Sequence, residues 1–257
     1  MIAGAGGAIT AETYRGVCMM SVPAGSDLQH LELQITTLFR FDAEGRLRAI
    51  NEPGAPPAPR FFMGRTSDGM LWRVRHDLPA EALHRLSQLC RAEPRCSLLK
   101  HEPEQALAIR SVLAEYAPIE DEYRGPAYWL PAIRHVPPHV LILSGAHADL
   151  VRDSFPWLVA WLADPANGPV SAVVEQGQAV SVCFCSRITG TAAEAGIETL
   201  EAFRGKGHAP AAAAGWAAAV QQRQRIALYR TSWENKASQA VARKLGAVLY
   251  AEDWSLR

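Results

Sequence analysis

The sequence predicts an α/β (α+β) fold for this chain of 257 residues. Short apolar runs separated by turns that contain Asp and Gly indicate strands, and apolar residues at helical spacing indicate amphipathic helices. A third observation is a strand that passes through a Gly-containing turn directly into an Ala-rich helix, between Glu194 and Val220. We expect an N-terminal α+β region of unassigned role at 1–118, a Pro-rich connection at 119–139 and a more regular domain at 140–257.

The composition is that of an ordinary globular protein, and it argues against two classes of partner. Apolar residues make up 49% and charged residues 20%, and the formal net charge is zero. Without a broad basic surface, neither nucleic acid nor an anionic membrane is an expected partner. Residues 1–10 lack the basic start and the apolar core of a signal peptide, so we expect a cytoplasmic protein.

The cysteines indicate a reducing compartment. Five cysteines are an odd number, and their spacing is not that of a disulfide framework. Cys183 and Cys185 would point to the same face of a strand, because side chains alternate. A lone C-x-C lacks the further ligands of a structural zinc, so we expect buried core cysteines and no metal site.

The N-terminal region contains two hairpin patterns followed by two helices. The expected elements are a strand at 31–41, a turn at 42–45, a returning strand at 46–50, a hairpin of strands 61–66 and 71–76 around Ser67-Asp68-Gly69, and helices at 80–91 and 102–116. The Pro-rich connection that follows carries Tyr123, Tyr128 and Trp129. For this segment, a linker packed on the core is favoured over a loop that lines a substrate site.

The C-terminal region alternates strands and helices more regularly. Pro210 suits a first helical turn, where its missing N–H costs no hydrogen bond, and Gly246 suits the position just after a helix end. The expected strands are 140–143, 170–174, 179–186, 192–200, 226–230 and 248–254, and the expected helices are 149–162, 210–222 and 235–245.

The turn at residues 204–209 carries the most informative chemistry. Gly205 and Gly207 stand where the strand passes into the helix, and small residues there let several backbone N–H groups point into one concavity. The helix start adds a partial positive charge, and this combination binds a pyrophosphate. Arg204 and Lys206 would add charge at the rim. The alternative interpretation is a Gly-rich connection with no ligand, which occurs in any α/β protein.

In this turn the chain resembles the GNAT superfamily of N-acetyltransferases. Arg204, Gly207 and Ala209 match the (Q/R)-x-x-G-x-(G/A) pattern with which that family binds CoA. The resemblance continues with Asn235 before the last helix and a Leu-Gly pair that ends at Gly246, and it covers about 140–257. It implies the GNAT fold, a mixed and mostly antiparallel sheet flanked by helices. Residues 1–118 resemble the region that precedes this domain in some bacterial GNAT-like proteins.

The resemblance implies an enzyme that uses acetyl-CoA as co-substrate and transfers its acetyl group directly to a primary amine. The acceptor would be a small molecule, an amino acid or a peptide. The strand before the turn and the next strand would splay apart, leaving a gap for the pantetheine arm. The residues that the resemblance assigns to CoA binding are Ile197, Thr199, Arg204, Gly205, Lys206, Gly207, His208, Ala209 and Asn235.

The attacking amine must lose a proton, and the family often uses a Glu on the fourth strand for this step. Glu194 and Glu198 are the candidates, and strand alternation places both on one face. Glu198 is nearer the turn and is preferred, with Glu201 as a weaker third candidate. Each of these carboxylates could instead face solvent or form a structural ion pair.

The chain departs from the family at the group that protonates the leaving thiolate. Many members have a Tyr seven residues after the Asn of the last helix, and Ala242 stands there in this chain. Either another residue takes this role or the thiolate leaves unassisted. Ser232, Tyr229 and His208 are the alternatives, although Tyr229 could simply pack in the core and Ser232 could cap the helix.

Two other functions remain open at this point. One is a non-catalytic regulatory module that binds acyl-CoA, and the other is a sensor whose N-terminal region binds a ligand. For an enzyme, the N-terminal region would shape the acceptor pocket or mediate formation of a homodimer.

Overall fold

The structure is a computed structural model that describes residues 25–95 and 98–257. The segment 1–10, Cys18 and Cys96, which entered the sequence predictions, lie outside the described residues.

Most of the described strands belong to one nine-stranded sheet of order β4-β3-β11-β5-β10-β9-β8-β7-β6, and β1 and β2 form a separate hairpin. Within the large sheet, β9 and β10 pair in parallel and every other pair is antiparallel. The strands are β1 (Phe39–Phe41), β2 (Leu47–Ile50), β3 (Phe61–Arg65), β4 (Met70–Val74), β5 (Glu122–Trp129), β6 (Val140–Leu143), β7 (Val170–Glu175), β8 (Gln178–Ile188), β9 (Ala192–Thr199), β10 (Ile226–Arg230) and β11 (Val248–Leu256).

Helices cover both faces of the sheet. Together with the strand pairing, they confirm the fold that the resemblance implied, a mixed and mostly antiparallel sheet flanked by helices. Helix α6 packs on the face that carries Cys183 and Cys185, and α1, α4 and α5 pack on the opposite face. The helices are α1 (Asp27–Leu38), α2 (Ala80–Ala92), α3 (Ala106–Ala114), α4 (Ala148–Val151), α5 (Trp157–Ala163), α6 (His208–Gln222) and α7 (Lys236–Lys244), with short 3-10 turns at Gly145–His147, Pro165–Asn167 and Glu201–Phe203.

The strand expected at 31–41 is mostly helix, and this prediction was wrong. Ser26 begins helix α1 by accepting a hydrogen bond from Gln29 N at 3.3 Å, and β1 starts only at Phe39. Leu31, Ile35 and Leu38 recur every three to four residues, and all three are buried. That spacing fits one face of a helix, which packs on the sheet.

The Pro-rich connection at 119–139 is not irregular throughout, because it contains the interior strand β5. Gly125 and Pro126 are small or rigid residues at the centre of this strand, and both are buried. Pro126 has no N–H to donate, but its carbonyl oxygen accepts a hydrogen bond from Thr231 N at 3.3 Å. The sheet therefore runs without interruption from the N-terminal β3 and β4, through β11 and β5, into the C-terminal region.

The helix expected at 149–162 is split into α4 and α5. Pro156 interrupts it, because proline cannot donate a backbone hydrogen bond and its ring clashes with the preceding turn. The other expected strands and helices are present with bounds shifted by a few residues. The two predicted hairpin turns are also present, and Gly45 and Gly69 both adopt positive φ, 78° and 157°.

The Ala-rich helix α6 lies close against the sheet because its buried face is made of small residues. Ala212, Ala213 and Ala217 are fully buried around Trp216. The indole N–H of Trp216 points at Cys185 Sγ, 3.3 Å away. Cys183 and Cys185 are buried and free, as predicted for core cysteines. Among the described helices, none combines the length and the apolar character needed to cross a membrane.

A prediction about the fold concerns Gly125. A Cβ there would lie 2.7 Å from Ser232 Cα and would also clash with the Thr231 carbonyl. We expect Gly125→Ala to lower the free energy of unfolding by about 1–3 kcal/mol, because the backbone after β10 cannot give way cheaply. Urea unfolding measures this. Gly190→Ala is the matched control, since a Cβ at Gly190 meets nothing within 4 Å, and an equal loss in both variants would contradict the prediction.

Candidate functional site

Strands β9 and β10 start side by side and then separate. Ile226 to Leu228 pair with Ala192 to Glu194, and no pairing between the two strands is found beyond that point. Strand β9 continues to Thr199 paired only with β8, while Tyr229 and Arg230 pair only with β5. One backbone edge of β9, from 195 to 199, therefore has no neighbouring strand and can hydrogen-bond to an extended ligand.

A cleft of about 830 Å³ opens where the two strands separate. It passes through the sheet, because Ser154 and Phe155 line it on the α4 and α5 side while α7 lines it on the other. The residues that line it are Ser154, Phe155, Ile197, Glu198, Thr199, Leu200, Glu201, Phe203, Arg204, Gly205, Gly207, His208, Ala209, Pro210, Tyr229, Asn235, Ala237, Ser238, Ala240, Val241 and Lys244. The structure thus brings most of the predicted CoA-binding residues to one cleft.

The turn before α6 presents a row of free backbone donors. Gly205 and Gly207 have φ of 79° and 87°, a left-handed conformation that favours glycine. Within the described residues, the N–H groups from 205 to 209 donate to no protein acceptor, and Gly207 caps α6 without a side-chain hydrogen bond. We call residues 205–209 the amide cradle. Unpaired amides and the positive end of a helix dipole together attract an anion.

Basic side chains stand beside the amide cradle. Arg204 is exposed and donates from Nε to the Thr199 carbonyl oxygen at 3.3 Å. The Lys206 ammonium lies 4.5 Å from the centre of the Phe203 ring. His208 Nε2 lies 2.9 Å from Glu175 Oε1, although the angle is not that of a hydrogen bond.

A second groove of about 770 Å³ adjoins the other side of the amide cradle. Arg134, His135 and His139 line it together with Lys206 and Lys244. The first three come from the Pro-rich connection, to which sequence analysis assigned no binding role. A guanidinium and two imidazoles close together in the sequence were the available signal, but only the fold shows that the connection runs beside α6.

The candidate carboxylates of β9 lie in different environments. Glu198 is exposed and lines the cleft, and no ion pair of its carboxylate is found among the described residues. Glu201, the third candidate, also lines the cleft and is exposed. The carboxylate of Glu198 is thus exposed at the cleft.

Glu194 is buried between two guanidinium groups. Its carboxylate lies 2.6 Å from Arg187 NH1 and 2.7 Å from Arg230 Nε. Burial opposes ionisation, but the charges of Arg230 and Arg187 outweigh it and hold the pKa of Glu194 below its usual value. A carboxylate held in this way is a poor proton acceptor, so its environment matches the structural ion-pair alternative.

The Glu194 ion pairs extend into a buried polar cluster below the cleft. Asp253 Oδ2 accepts from Gln34 Nε2 at 2.6 Å and lies 3.4 Å from Arg230 NH1. Tyr250 donates to Gln34 Oε1 at 2.6 Å. Burial raises the pKa of Asp253 to about 7, against the opposing effect of Arg230. The cluster joins α1 of the N-terminal region to strands β9, β10 and β11.

The remaining predicted residues lie at the start of α7. Asn235 Oδ1 caps this helix by accepting from Ser238 N at 2.9 Å, and Ser232 Oγ accepts from Asn235 N at 3.2 Å. Ser232 is not among the residues that line the cleft, whereas Asn235 is. Tyr229, on β10, hydrogen-bonds through its hydroxyl to the Ser238 hydroxyl, and both residues line the cleft. Ser238 did not emerge from sequence analysis.

Comparison with known proteins identifies the region that builds this site. The family model of GNAT acetyltransferases matches residues 166–252 of this chain. The match contains the amide cradle and all three candidate carboxylates. No curated protein matches the chain in sequence.

Several solved structures are similar to this chain. A GNAT-family acetyltransferase from Novosphingobium aromaticivorans is 16% identical with a TM-score of 0.42, and the match covers 54% of this chain and 65% of that one, less than two thirds of its length. A GCN5-related N-acetyltransferase-like protein from Streptococcus suis is 15% identical with a TM-score of 0.46, and coverage is 78% and 85%. A GNAT-family acetyltransferase from Colwellia psychrerythraea is 10% identical with a TM-score of 0.45, and coverage is 90% and 96%.

The raised pKa of Asp253 predicts a pH-dependent stability. In the unfolded chain this carboxyl titrates near 3.8, whereas in the folded protein its pKa is about 7. Between these values the folded state holds a proton that the unfolded state lacks, so this carboxyl makes the free energy of unfolding fall as pH rises from about 4 to about 7. Asp253→Asn should flatten that fall in urea unfolding at several pH values.

The exposed Asp153 provides the control for this prediction. Asp153→Asn should leave the pH dependence as in the wild type. The prediction is contradicted if the wild type and Asp253→Asn lose stability in parallel over the same pH range. The other charged or titratable groups that act on Asp253 are Arg230, Glu194, Tyr250 and Tyr123, and all of them stay in place in the variant.

The amide cradle predicts that a carboxylate at Gly207 abolishes anion binding. Gly207→Glu would place a negative side chain in front of the free amides, and we expect at least a roughly 100-fold weaker affinity for acetyl-CoA. Isothermal calorimetry with acetyl-CoA measures it. Gly45→Glu is the matched control, because Gly45 also has positive φ, with nothing within 4 Å of its Cβ position, and lies in the β1–β2 turn. Equal affinity of both variants would refute the role of the cradle.

Proposed function

We propose that this chain is an N-acetyltransferase that moves the acetyl group of acetyl-CoA to a primary amine. The match of residues 166–252 to the family model of GNAT acetyltransferases supports this proposal. The observation that carries the proposal is the amide cradle at one end of a cleft whose wall is the unpaired edge of β9. The amide cradle suits a diphosphate, and the unpaired edge of β9 suits an extended chain with amide groups. CoA contains both a diphosphate and such a chain.

Each part of acetyl-CoA has a matching surface. The amides from 205 to 209 would hold the pyrophosphate, with Arg204 and Lys206 adding positive charge. Backbone groups at Ile197 and Thr199, on the free edge of β9, would pair with the pantetheine amides as an added strand does. Nothing in this arrangement calls for a metal ion.

The reaction proposed is a direct transfer between two bound substrates. The amine nitrogen attacks the thioester carbon, a C–N bond forms, and the C–S bond then breaks with its electron pair left on sulfur. Holding both reactants in one cleft supplies much of the rate. Glu198 is proposed as the base that takes the amine proton, directly or through a water molecule, because it is the exposed carboxylate on the strand beside the acyl position.

The acceptor proposed is the primary amine of a small molecule, an amino acid or a peptide. Two features support it: the cleft extends to Ser154 and Phe155 on the α4 and α5 side, where a second substrate would bind, and Glu198 would attract an ammonium group. The zero net charge argues against a polyanionic acceptor. We further propose a cytoplasmic location, where acetyl-CoA is supplied, and a homodimer in which the N-terminal region contributes the contact.

A second candidate function is a regulatory module that binds acyl-CoA without turnover. Ala242 favours it, because the family's usual tyrosine is missing there. This alternative predicts the same affinity for acetyl-CoA but no release of thiol with any amine.

Glu198→Gln tests the proposed function and separates the two candidates. We expect kcat to fall about 100-fold or more, because a positioned general base contributes about that factor, while KM for acetyl-CoA stays the same. Thiol release is followed with a panel of primary amines at several pH values. The exposed Glu234→Gln is the control and should behave as wild type. Thiol release by Glu198→Gln at the wild-type rate would remove Glu198 from the mechanism. If the wild-type protein releases no thiol with any amine, the regulatory module is favoured instead.

A further inference from the structure

The hydroxyl of Ser238 contacts another side-chain hydroxyl and not a carbonyl of its own helix. Ser87 and Ser111, in the interior of their helices, donate to the backbone carbonyl four residues earlier, at 2.8 and 2.9 Å. Ser238 lies in the first turn of α7, where the residue four positions earlier precedes the helix. Its hydroxyl pairs with the Tyr229 hydroxyl instead, and both residues line the cleft where β9 and β10 separate.

The two hydroxyls differ in their access to the cleft. Tyr229 is 4% exposed, and its hydroxyl can also donate to the Ser238 carbonyl oxygen at 3.3 Å. Ser238 is more exposed than Tyr229. Tyr229 therefore stands behind Ser238, and when its O–H bonds to Ser238 Oγ, the serine proton is free to point toward a ligand. A hydrogen bond from the Tyr229 hydroxyl to Ser238 Oγ polarises the serine O–H and strengthens the hydrogen bond that Ser238 would donate to a ligand.

From this arrangement, and resting on the proposed function, we propose that Ser238 donates a hydrogen bond to the departing CoA sulfur and that Tyr229 orients Ser238 for this role. Ser238 is then a catalytic residue and Tyr229 a positioning residue. Ala242, which is fully buried, takes no part. The two residues come from different elements that meet at the cleft, one from β10 and one from α7.

The step balances without a further reactant. The amine nitrogen bonds to the acyl carbon, the C–S bond breaks, and its electron pair remains on sulfur as a thiolate that accepts the Ser238 hydrogen bond. The proton lost from the amine passes to Glu198 or solvent, and solvent protonates the thiolate after it leaves. Burial raises the pKa of Tyr229 to about 12. Tyr229 thus stays protonated and acts as a hydrogen-bond donor.

The kinetic test uses Ser238→Ala and Tyr229→Phe. We expect Ser238→Ala to lower kcat about 10- to 100-fold and Tyr229→Phe about 10-fold, with KM for acetyl-CoA within about twofold of wild type. The double variant should be no slower than Ser238→Ala, because the two residues act as one unit. Ser238→Thr keeps the hydroxyl and should recover most of kcat.

Two control variants remove a hydroxyl elsewhere. Ser111→Ala removes a helix serine that bonds its own helix, and Tyr128→Phe removes the tyrosine beside Tyr229, whose ring centre is 6.4 Å away. Neither residue lines the cleft. Both variants should keep the wild-type kcat.

A second readout needs no amine acceptor. CoA is bound to each variant and its thiol is titrated by the ultraviolet absorbance of the thiolate. The Ser238 hydrogen bond should lower the thiol pKa in the wild-type complex, and Ser238→Ala should raise it by about one unit. Unchanged kcat and unchanged thiol pKa in Ser238→Ala would overturn the inference alone. Failure of wild type to bind CoA would overturn the proposed function itself.

Discussion

The rest of the site depends on the ion pair between Glu194 and Arg230, which joins β9 and β10 where the two strands separate. Glu194 is the last residue of β9 that pairs with β10, and Arg230 ends β10 where that strand has already moved away. Their contact at 2.7 Å ties the two strands together at the base of the cleft. Above it, the separated edges are free for a ligand. Removing one partner would leave an uncompensated buried charge, which is far more costly than the pair itself.

The same ion pair explains why the N-terminal region is inseparable from the site. Arg230 also faces Asp253 of β11, and Asp253 is held by Gln34 of helix α1. Strand β11 in turn pairs with both β5 and β3. The N-terminal helix and hairpin therefore support the floor of the cleft from below. A region that looks like an extension in sequence is part of one continuous sheet.

The features that could be predicted from the sequence are those formed by neighbouring residues of the chain. Gly205 and Gly207 can adopt the positive φ that this turn uses, and they stand between a strand pattern and a helix pattern, so the strand, the turn and the helix start are recognisable in one stretch of chain. Helix α1 was mistaken for a strand because its apolar residues were assessed without its cap at Ser26. The sequence of β5 predicts a linker because Pro126 is unusual inside a strand and further prolines follow it. Only pairing with β10 and β11 makes this segment an interior strand.

The parts that escaped prediction depend on contacts between distant segments. Alternation placed Glu194 and Glu198 on one face, but it could not show that two arginines enclose the first and that the second stays exposed. Ser238 is an ordinary helix residue in the sequence pattern, because its hydrogen-bond partner Tyr229 belongs to strand β10 and not to its own helix. Arg134 and His135 belong to the Pro-rich connection in sequence, and only the fold places them along the groove beside α6.

The central claim is that the free amides from 205 to 209 and the edge of β9 bind CoA. The most direct measurement is two-dimensional amide NMR of the labelled protein during titration with acetyl-CoA. The account predicts that the largest shift changes fall on residues 205–209, because a bound pyrophosphate would accept hydrogen bonds from these groups, with a second set at 195–199. Saturating changes confined to other parts of the sheet, or no changes at millimolar acetyl-CoA, would contradict it.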